Sequence, residues 1–339
     1  MKIGIYTIYD AYNYGSFLQA YALQEYLTDK GHEVTIVKCP SSFKSVLTRK
    51  YLAKNYSRQL LKLKRLIAYR KGWKRLNIKD YKVCDHFDLA IIGSDEVWNI
   101  ENNSFDHHEQ FYGINSKSNV NIAYAASLGY STIKSYEQFP NLKKALKSNI
   151  QKFGTRDLFS KQFLYEVGIE NVMDVCDPTI LLFQQWEKYE EPLSNLNSPY
   201  LVYYSYNGAP TYMNFIKKFA VEKGLQVIVP GFDYAWCDKS LIISPFEFLS
   251  LIKNAEYVVT STFHGTVFST LYNKKIITVD PARKVTDYLN QLGLSRNAQE
   301  NMNYGQFKEL LEQNIDYSQV NNRLRDWKLS SGIFLICKK

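Results

Sequence analysis

A chain of 339 residues, 45% hydrophobic and 22% charged, is too long for one ordinary core, long enough for two, and too apolar to be disordered throughout. The five cysteines (Cys39, Cys84, Cys176, Cys237 and Cys337) are odd in number, scattered and free of any C-x-x-C pair. That argues against a disulfide framework or zinc knuckle and predicts a reducing compartment, with Cys39 and Cys176 as buried thiols.

The net charge of +9 is concentrated in one place. Between Glu33 and Asp80 stand 14 Lys and Arg and no acid; without them the chain has 28 basic against 33 acidic residues. This is the pattern of a mildly acidic protein carrying one basic segment, not of a general nucleic-acid binder. The opening MKIGIYTIYD lacks the long apolar core of a signal peptide, and no apolar stretch approaches the roughly 18 residues of a membrane span. A cytoplasmic protein is expected. The 27 Tyr, 19 Phe and 5 Trp suit sugar binding, but compositional drift explains them as well.

Residues 2–8 (KIGIYTI) read as a strand, followed by the polar turn DAYNYGS. A helix comes next, with Leu18, Tyr21, Ala22 and Leu23 inward and Lys30-Gly31 as its stop. Strand EVTIVKC completes a βαβ opening, which places the first loop at a carboxyl edge where ligands usually bind. No G-x-G-x-x-G occupies that loop, so the dinucleotide fingerprint is absent. The basic segment 43–76 carries Leu47, Tyr51, Tyr56, Leu60, Leu63 and Ile67 at helical spacing.

Strands follow at 87–93, ending in SDEVWN, and at 121–127, ending in LGYS. A helix near 140–152 leads to FGTRD, then a helix at 157–167 and strand NVMDVC before Asp177-Pro178. The polar run 187–199 reads as a connection. Strand 200–206, helix 211–223, strand LQVIVPG, helix 245–254, strand EYVVTS, helix 265–273 and strand KIITVD then repeat the alternation. Helices at about 284–292 and 305–313 close it. The pattern predicts two α/β domains, 1–180 and 181–339, facing across a cleft, with the C-terminal helix packing back on the first.

Two junctions concentrate chemistry. In VVTSTFHGTVFSTLYN an apolar strand runs through Ser261 and Thr262 into a helix opened by Phe263, His264, Gly265 and Thr266. Backbone amides, the helix dipole and the hydroxyls would suit an anion, Gly265 would permit close approach, and His264 would add charge or move a proton. A Ser/Thr N-cap with a histidine in the wall explains the same residues. In IIGSDEVWN, Asp95 is a candidate base, with Ser94, Trp98 and Asn99 beside it as a sugar-hydroxyl site; the alternative is a capped helix with Trp98 in the core. Arg156 in FGTRD offers a bidentate fork to phosphate or carboxylate, or a salt bridge to an acid of the chain itself. The remaining histidines show no metal-ligand spacing, and G-x-S-x-G, H-E-x-x-H and P-loop motifs are missing.

The blocks NYGSFLQAYALQEYL (13–27), FDLAIIGSDEVWN (87–99), AYAASLG (123–129), DVCDPTILL (174–182) and 244–276 occur in that order. The series resembles the polysaccharide pyruvyl transferase family. The resemblance implies two Rossmann-like domains arranged as in GT-B enzymes. It also implies transfer of pyruvate from phosphoenolpyruvate to two hydroxyls of a cell-surface glycan, forming a ketal and releasing phosphate.

It implies His264 and Arg156 as phosphoenolpyruvate residues, with Asp95 as the third catalytic candidate. Substrate contacts are expected from Asn13, Tyr14, Gly15, Ser16, Gln19, Ser94, Trp98, Asn99, Ser261, Thr262, Gly265 and Thr266, and from Arg283 in a loosely matching basic stretch. Where the family often carries GSDQVWN this chain has Glu96. The acceptor would sit on the first domain and phosphoenolpyruvate on the second, with no metal or redox cofactor. Expected partners are a glycan or lipid-linked oligosaccharide and an anionic membrane touched peripherally on its inner face, and no nucleic acid. Two other readings stay open: a GT-B glycosyltransferase using a nucleotide sugar, and a non-catalytic membrane-surface scaffold.

Overall fold

The computed structural model describes residues 1–41, 56–104, 106–194, 196, 198–208, 210–299 and 301–336. Leu47 and Tyr51 of the basic segment, and Cys337, lie outside them.

Short apolar runs become parallel strands because both faces of each are covered by helices. In the first half these are β1 (Lys2–Tyr6), β2 (Glu33–Lys38), β3 (Ile78–Asp80), β4 (Leu89–Ile92), β5 (Asn121–Tyr124), β6 (Lys152–Thr155) and β7 (Val172–Asp174). They form one parallel sheet in the order β3-β2-β1-β4-β5-β6-β7. Its helices are α1 (Tyr14–Asp29), α2 (Tyr56–Trp73), α3 (Pro140–Asn149), α4 (Leu158–Glu166) and the single turn α5 (Pro178–Leu181). The second half has β8 (Tyr200–Tyr204), β9 (Gln226–Pro230), β10 (Lys239–Leu241), β11 (Tyr257–Thr260), β12 (Lys275–Val279) and β13 (Ala298–Gln299), in the order β10-β9-β8-β11-β12-β13. Its helices are α6 (Met213–Lys223), α7 (Pro245–Lys253), α8 (Phe263–Leu271), α9 (Arg283–Leu292) and α10 (Tyr304–Glu312), and α11 (Tyr317–Ile336) ends the chain.

Both sheets therefore have the doubly wound order, which reverses between β1 and β4 and again between β8 and β11. The described residues divide into one unit from Met1–Leu182 and Trp327–Lys339 and a second from Phe183–Asp326. Each has its own core. Trp98, Tyr112, Tyr136, Phe153 and Phe163 lead the first, and Tyr203, Phe219 and Phe307 the second.

Local signals account for the element ends. Asn13 caps α1, Gly31 leaves it at φ 81°, and Ser244 with Glu247 forms a capping box at α7. Helix α1 is buried on nearly every side, Gln19 included, rather than along one stripe. The periodicity also missed edge strands: β3 (IKD) is mostly exposed and gives no apolar alternation. The expected helix near 140–152 ends at Asn149, and Lys152–Thr155, for which the pattern predicts no strand, is one, with Gly154 packed beneath Val175 and Phe334 where a Cβ would come within 2.9 Å of Val175. The expected strand at 121–127 stops at Tyr124, because Ala125 turns to φ 52°.

Cys39 and Cys176 are buried, and burial pushes each thiol up to about 12. Cys176 lies under the chain end. Its amide donates to Ser331 Oγ at 2.7 Å, Lys152 Nζ donates to the Phe334 carbonyl at 2.7 Å, and the Phe334 ring tilts on Tyr124 at 5.9 Å. Ser331→Ala leaves that buried amide without its acceptor, a loss of about 1–3 kcal/mol. We expect a lower urea midpoint and faster exchange at the Cys176 amide. The exposed neighbour Ser330→Ala should stay within about 0.5 kcal/mol of wild type, and equal midpoints for the two variants would refute the clamp.

Candidate functional site

At the first reversal point, the loops after β1 and β4 are joined by short polar side chains. Thr7 Oγ1 donates to the Ser94 carbonyl at 2.9 Å, and Ser94 Oγ donates to Gln19 Oε1 at 2.6 Å. Gln19 Nε2 lies 2.8 Å from the carbonyls of Ile8 and Ser16 and 3.0 Å from Thr7 Oγ1. The turn is possible because Gly93 takes φ 106°, with a Cβ position only 2.5 Å from the Tyr124 carbonyl; Asp95 follows at φ 69°. Ser16 Oγ donates to Asp95 Oδ2 at 2.6 Å, and Arg156 Nη2 reaches Asp95 Oδ1 at 3.3 Å. Arg156 Nη1 is ion-paired with Asp177, which also caps α5 through the Thr179 amide.

Arg156 is only 2% exposed. Burial works against its charge, but Asp177, Asp95 and Asp157 outweigh that and raise its pKa further. Three carboxylates around one guanidinium leave this edge rich in acceptors and with no spare positive charge.

The second reversal point is built in the opposite sense. Ser205 after β8 and Ser261 after β11 share a hydrogen bond of 2.6 Å, and Thr260 Oγ1 donates to the Tyr204 carbonyl at 2.5 Å. Thr262 caps α8 by accepting the Gly265 amide at 3.0 Å. His264 sits at the second helical position, 7% exposed, its ring edge-on to Phe263 at 5.1 Å. Helix α9 begins beside it: Tyr288 packs on Phe263 at 5.7 Å, and Lys284 Nζ lies 5.8 Å from the Phe263 ring centre. Helix α9 has no side-chain cap, neither α8 nor α9 has an acid in its first turn, and α9 opens with Arg283 and Lys284. The positive end of a helix dipole favours an anion, and cations placed there add to that field. Exposed Tyr206 stands edge-on to Phe232 at 5.5 Å, and Phe232 stacks on Tyr234 at 5.4 Å.

Several expected substrate contacts have structural work instead. Trp98 is 0% exposed and donates its indole N–H to the Phe111 carbonyl, so it is core and not a sugar platform. Asn99, also 0% exposed, bridges Glu96 and Ser131. Gln19 is consumed in the loop network. Tyr14 stacks on Tyr69 at 5.5 Å, and Asn13 holds the amides of Gly15 and Ser16. Packing alone requires Gly265, since its Cβ would fall 2.4 Å from Thr260 Oγ1. Thr266 bonds back to the Thr262 carbonyl and to Thr278. For Arg156 the geometry supplies the salt bridge, with Asp95 and Asp177. The first edge thus gathers Ser16, Ser94, Asp95 and Arg156, and the second gathers Ser261, Thr262 and His264, with Arg283 at the start of the neighbouring helix α9.

The sequence model of the polysaccharide pyruvyl transferase family matches residues 13–283. The chain belongs to that family. No curated protein matches it by sequence. Among solved structures, the fold resembles UDP-GlcNAc 2-epimerase from Neisseria meningitidis bound to UDP-GlcNAc (TM-score 0.55, 12% identity, covering 99% of this chain and 100% of the other). It also resembles the UDP-GlcNAc 2-epimerase of Methanocaldococcus jannaschii (0.54, 12%, covering 92% of each). An α-glucosyltransferase in complex with UDP and a 13-mer DNA is similar as well (0.50, 11%, covering 99% and 95%). At such identities the likeness is one of fold, GT-B-type and α/β.

For this pyruvyl transferase family member, sequence reasoning passed over Lys284 and Asp177. The available signal for Lys284 was a basic pair opening a helix with no capping residue; for Asp177, an Asp-Pro turn read only as a turn. Among the described residues, no three His, Cys, Asp or Glu side chains gather as a metal site.

Two variants test the geometry. Gly265→Ala forces its Cβ against the Thr260 and Thr262 hydroxyls, and we expect about 1–3 kcal/mol of destabilisation in denaturant; unchanged stability would mean that the helix start can shift. Arg156→Met strands two carboxylates in the interior, and should lose about 3–5 kcal/mol. A loss below about 1 kcal/mol would remove the ion ladder as a structural element.

Proposed function

We propose that the protein transfers pyruvate from phosphoenolpyruvate to two hydroxyls of a sugar in a polysaccharide or its lipid-linked precursor. The observation that carries this reading is the pair of cations, Arg283 and Lys284, opening the uncapped helix α9 beside the start of α8 and His264. Two cations beside two helix N-termini suit a small, highly charged anion, and phosphoenolpyruvate brings both a phosphate and a carboxylate. Asp95, held by Ser16 and Arg156, suits a neutral acceptor whose hydroxyls donate. Arg156 acts through Asp95 as a positioning residue, its charge being taken up by Asp95 and Asp177.

In the proposed reaction a proton adds to C3 of the enol, making a methyl group, and one sugar oxygen bonds to C2. The C2–O bond to phosphate breaks, the second sugar oxygen takes its place, and phosphate leaves. The two hydroxyl protons end on the methyl group and on phosphate. His264 is the proposed proton carrier at the donor and Asp95 the acceptor-side base. No step calls for a metal or redox cofactor. A lipid-linked acceptor implies peripheral contact with an anionic membrane on its cytoplasmic face.

Calorimetry should detect phosphoenolpyruvate binding, weakened about ten- to a hundredfold in Lys284→Ala. With an acceptor panel followed by phosphate release and mass spectrometry, His264→Ala should lose about 10²–10⁴ in turnover. Tight binding of UDP with none of phosphoenolpyruvate would replace this reading with a nucleotide-sugar glycosyltransferase.

A further inference from the structure

Helix α2 has two unlike faces. One holds it to its unit: Tyr69, 2% exposed, stacks on Tyr14 at 5.5 Å and meets Tyr12 edge-on at 5.7 Å. Trp73 Nε1 donates to the Tyr9 carbonyl at 3.3 Å, and Phe17 fills the space beside Gly72. On the other face, where an amphipathic helix should be polar, stand Leu60, Leu63 and Ile67, exposed by 41%, 50% and 66%. Lys64, Arg70 and Lys71 are exposed with them. At about 100° per residue, these six lie within an arc of roughly 120°, opposite Tyr69 and Trp73. The sequence alone places the apolar stripe at helical spacing; the structure shows that it points outward.

We propose that this face of α2 docks on an anionic lipid surface. The three aliphatic side chains enter the acyl boundary, and Lys64, Arg70 and Lys71 meet the headgroup phosphates. Charge complementarity favours that occupant: from residue 34 to residue 79 no acidic side chain opposes the cations. The apolar centre argues against nucleic acid, whose backbone offers it nothing to bury in. A partner that engulfs a basic helix is disfavoured because the inward face is already tied down by Tyr69 and Trp73. No described helix is long and apolar enough to cross a membrane, so α2 would lie on the surface rather than span it. The inference deepens the membrane-contact part of the proposed function and does not depend on which donor is used.

The test is sedimentation of the full chain with vesicles of phosphatidylcholine alone or mixed with phosphatidylglycerol, at low and high salt. Wild type should bind the mixed vesicles at low salt and release them at high salt. L63S/I67S and K64E/K71E should each lose about tenfold or more in bound fraction, while the control K134E/K144E, on exposed lysines of the same unit, should bind like wild type. Circular dichroism and phosphoenolpyruvate calorimetry on every variant show that each is folded and intact at the donor site; in wild type, donor binding without vesicle binding overturns this inference alone, and vesicle binding without donor binding overturns only the donor assignment. Equal vesicle binding by all variants, or capture by heparin but not by vesicles, also overturns it.

Discussion

A parallel sheet whose strand order reverses leaves two neighbouring strand ends that no crossover covers, because the helices depart to opposite faces. Both sheets of this protein have that reversal, between β1 and β4 and between β8 and β11. The rest of the site follows from it. Backbone polar groups at an uncovered edge must be satisfied, and here short side chains do it: Thr7, Ser94 and Gln19 in one unit, Ser205, Ser261 and Thr260 in the other. The hydroxyls leave no room for a Cβ at Gly265, and Gly93 is fixed by its positive φ and by the Tyr124 carbonyl.

The two edges share topology and differ in electrostatics. In the first unit the charge is internal and largely balanced: Arg156 is folded between Asp95 and Asp177, with Asp157 near by. Removing two charges from water is costly, and a buried ion pair adds little net stability over apolar packing. What the ladder supplies is position. It links the end of β6, the loop after β4 and the start of α5, and so orients Asp95. In the second unit the charge is positive and gathered at helix starts, where Arg283 and Lys284 add to the dipoles instead of offsetting them. An acceptor-rich edge and a donor-rich edge in one chain suit a neutral hydroxyl compound and an anion respectively.

The burial of so many polar side chains near these edges explains why residue type was a poor guide to role. Ser, Thr, Asn and Gln beside a strand end bind ligands in some proteins and close loops in others, and the same donors and acceptors serve both. Trp98, Asn99 and Gln19 are 0% exposed and have their partners inside the protein. The basic pair at α9 is different. Arg283 and Lys284 open a helix that has neither a side-chain cap nor an acid in its first turn, a placement set by the local sequence.

The sequence by itself determined the alternation of strands and helices, the helix starts at Ser244 and Thr262, the family, and the clustering of positive charge before Asp80. These are local or compositional properties, set by period, by capping chemistry and by which residues are present. Only the tertiary structure decided that β6 is a strand, that Arg156 is shared by Asp95 and Asp177, that Trp98 belongs to the core, and that Leu60, Leu63 and Ile67 face outward. Each depends on residues far apart in the chain: Gly154 admits Val175 and Phe334, Arg156 meets an acid 61 residues before it and another 21 after, and Tyr69 claims the inward face of α2 for Tyr14. A periodic pattern says that a helix has an apolar side; which side its neighbours cover is fixed by what else the fold brings there.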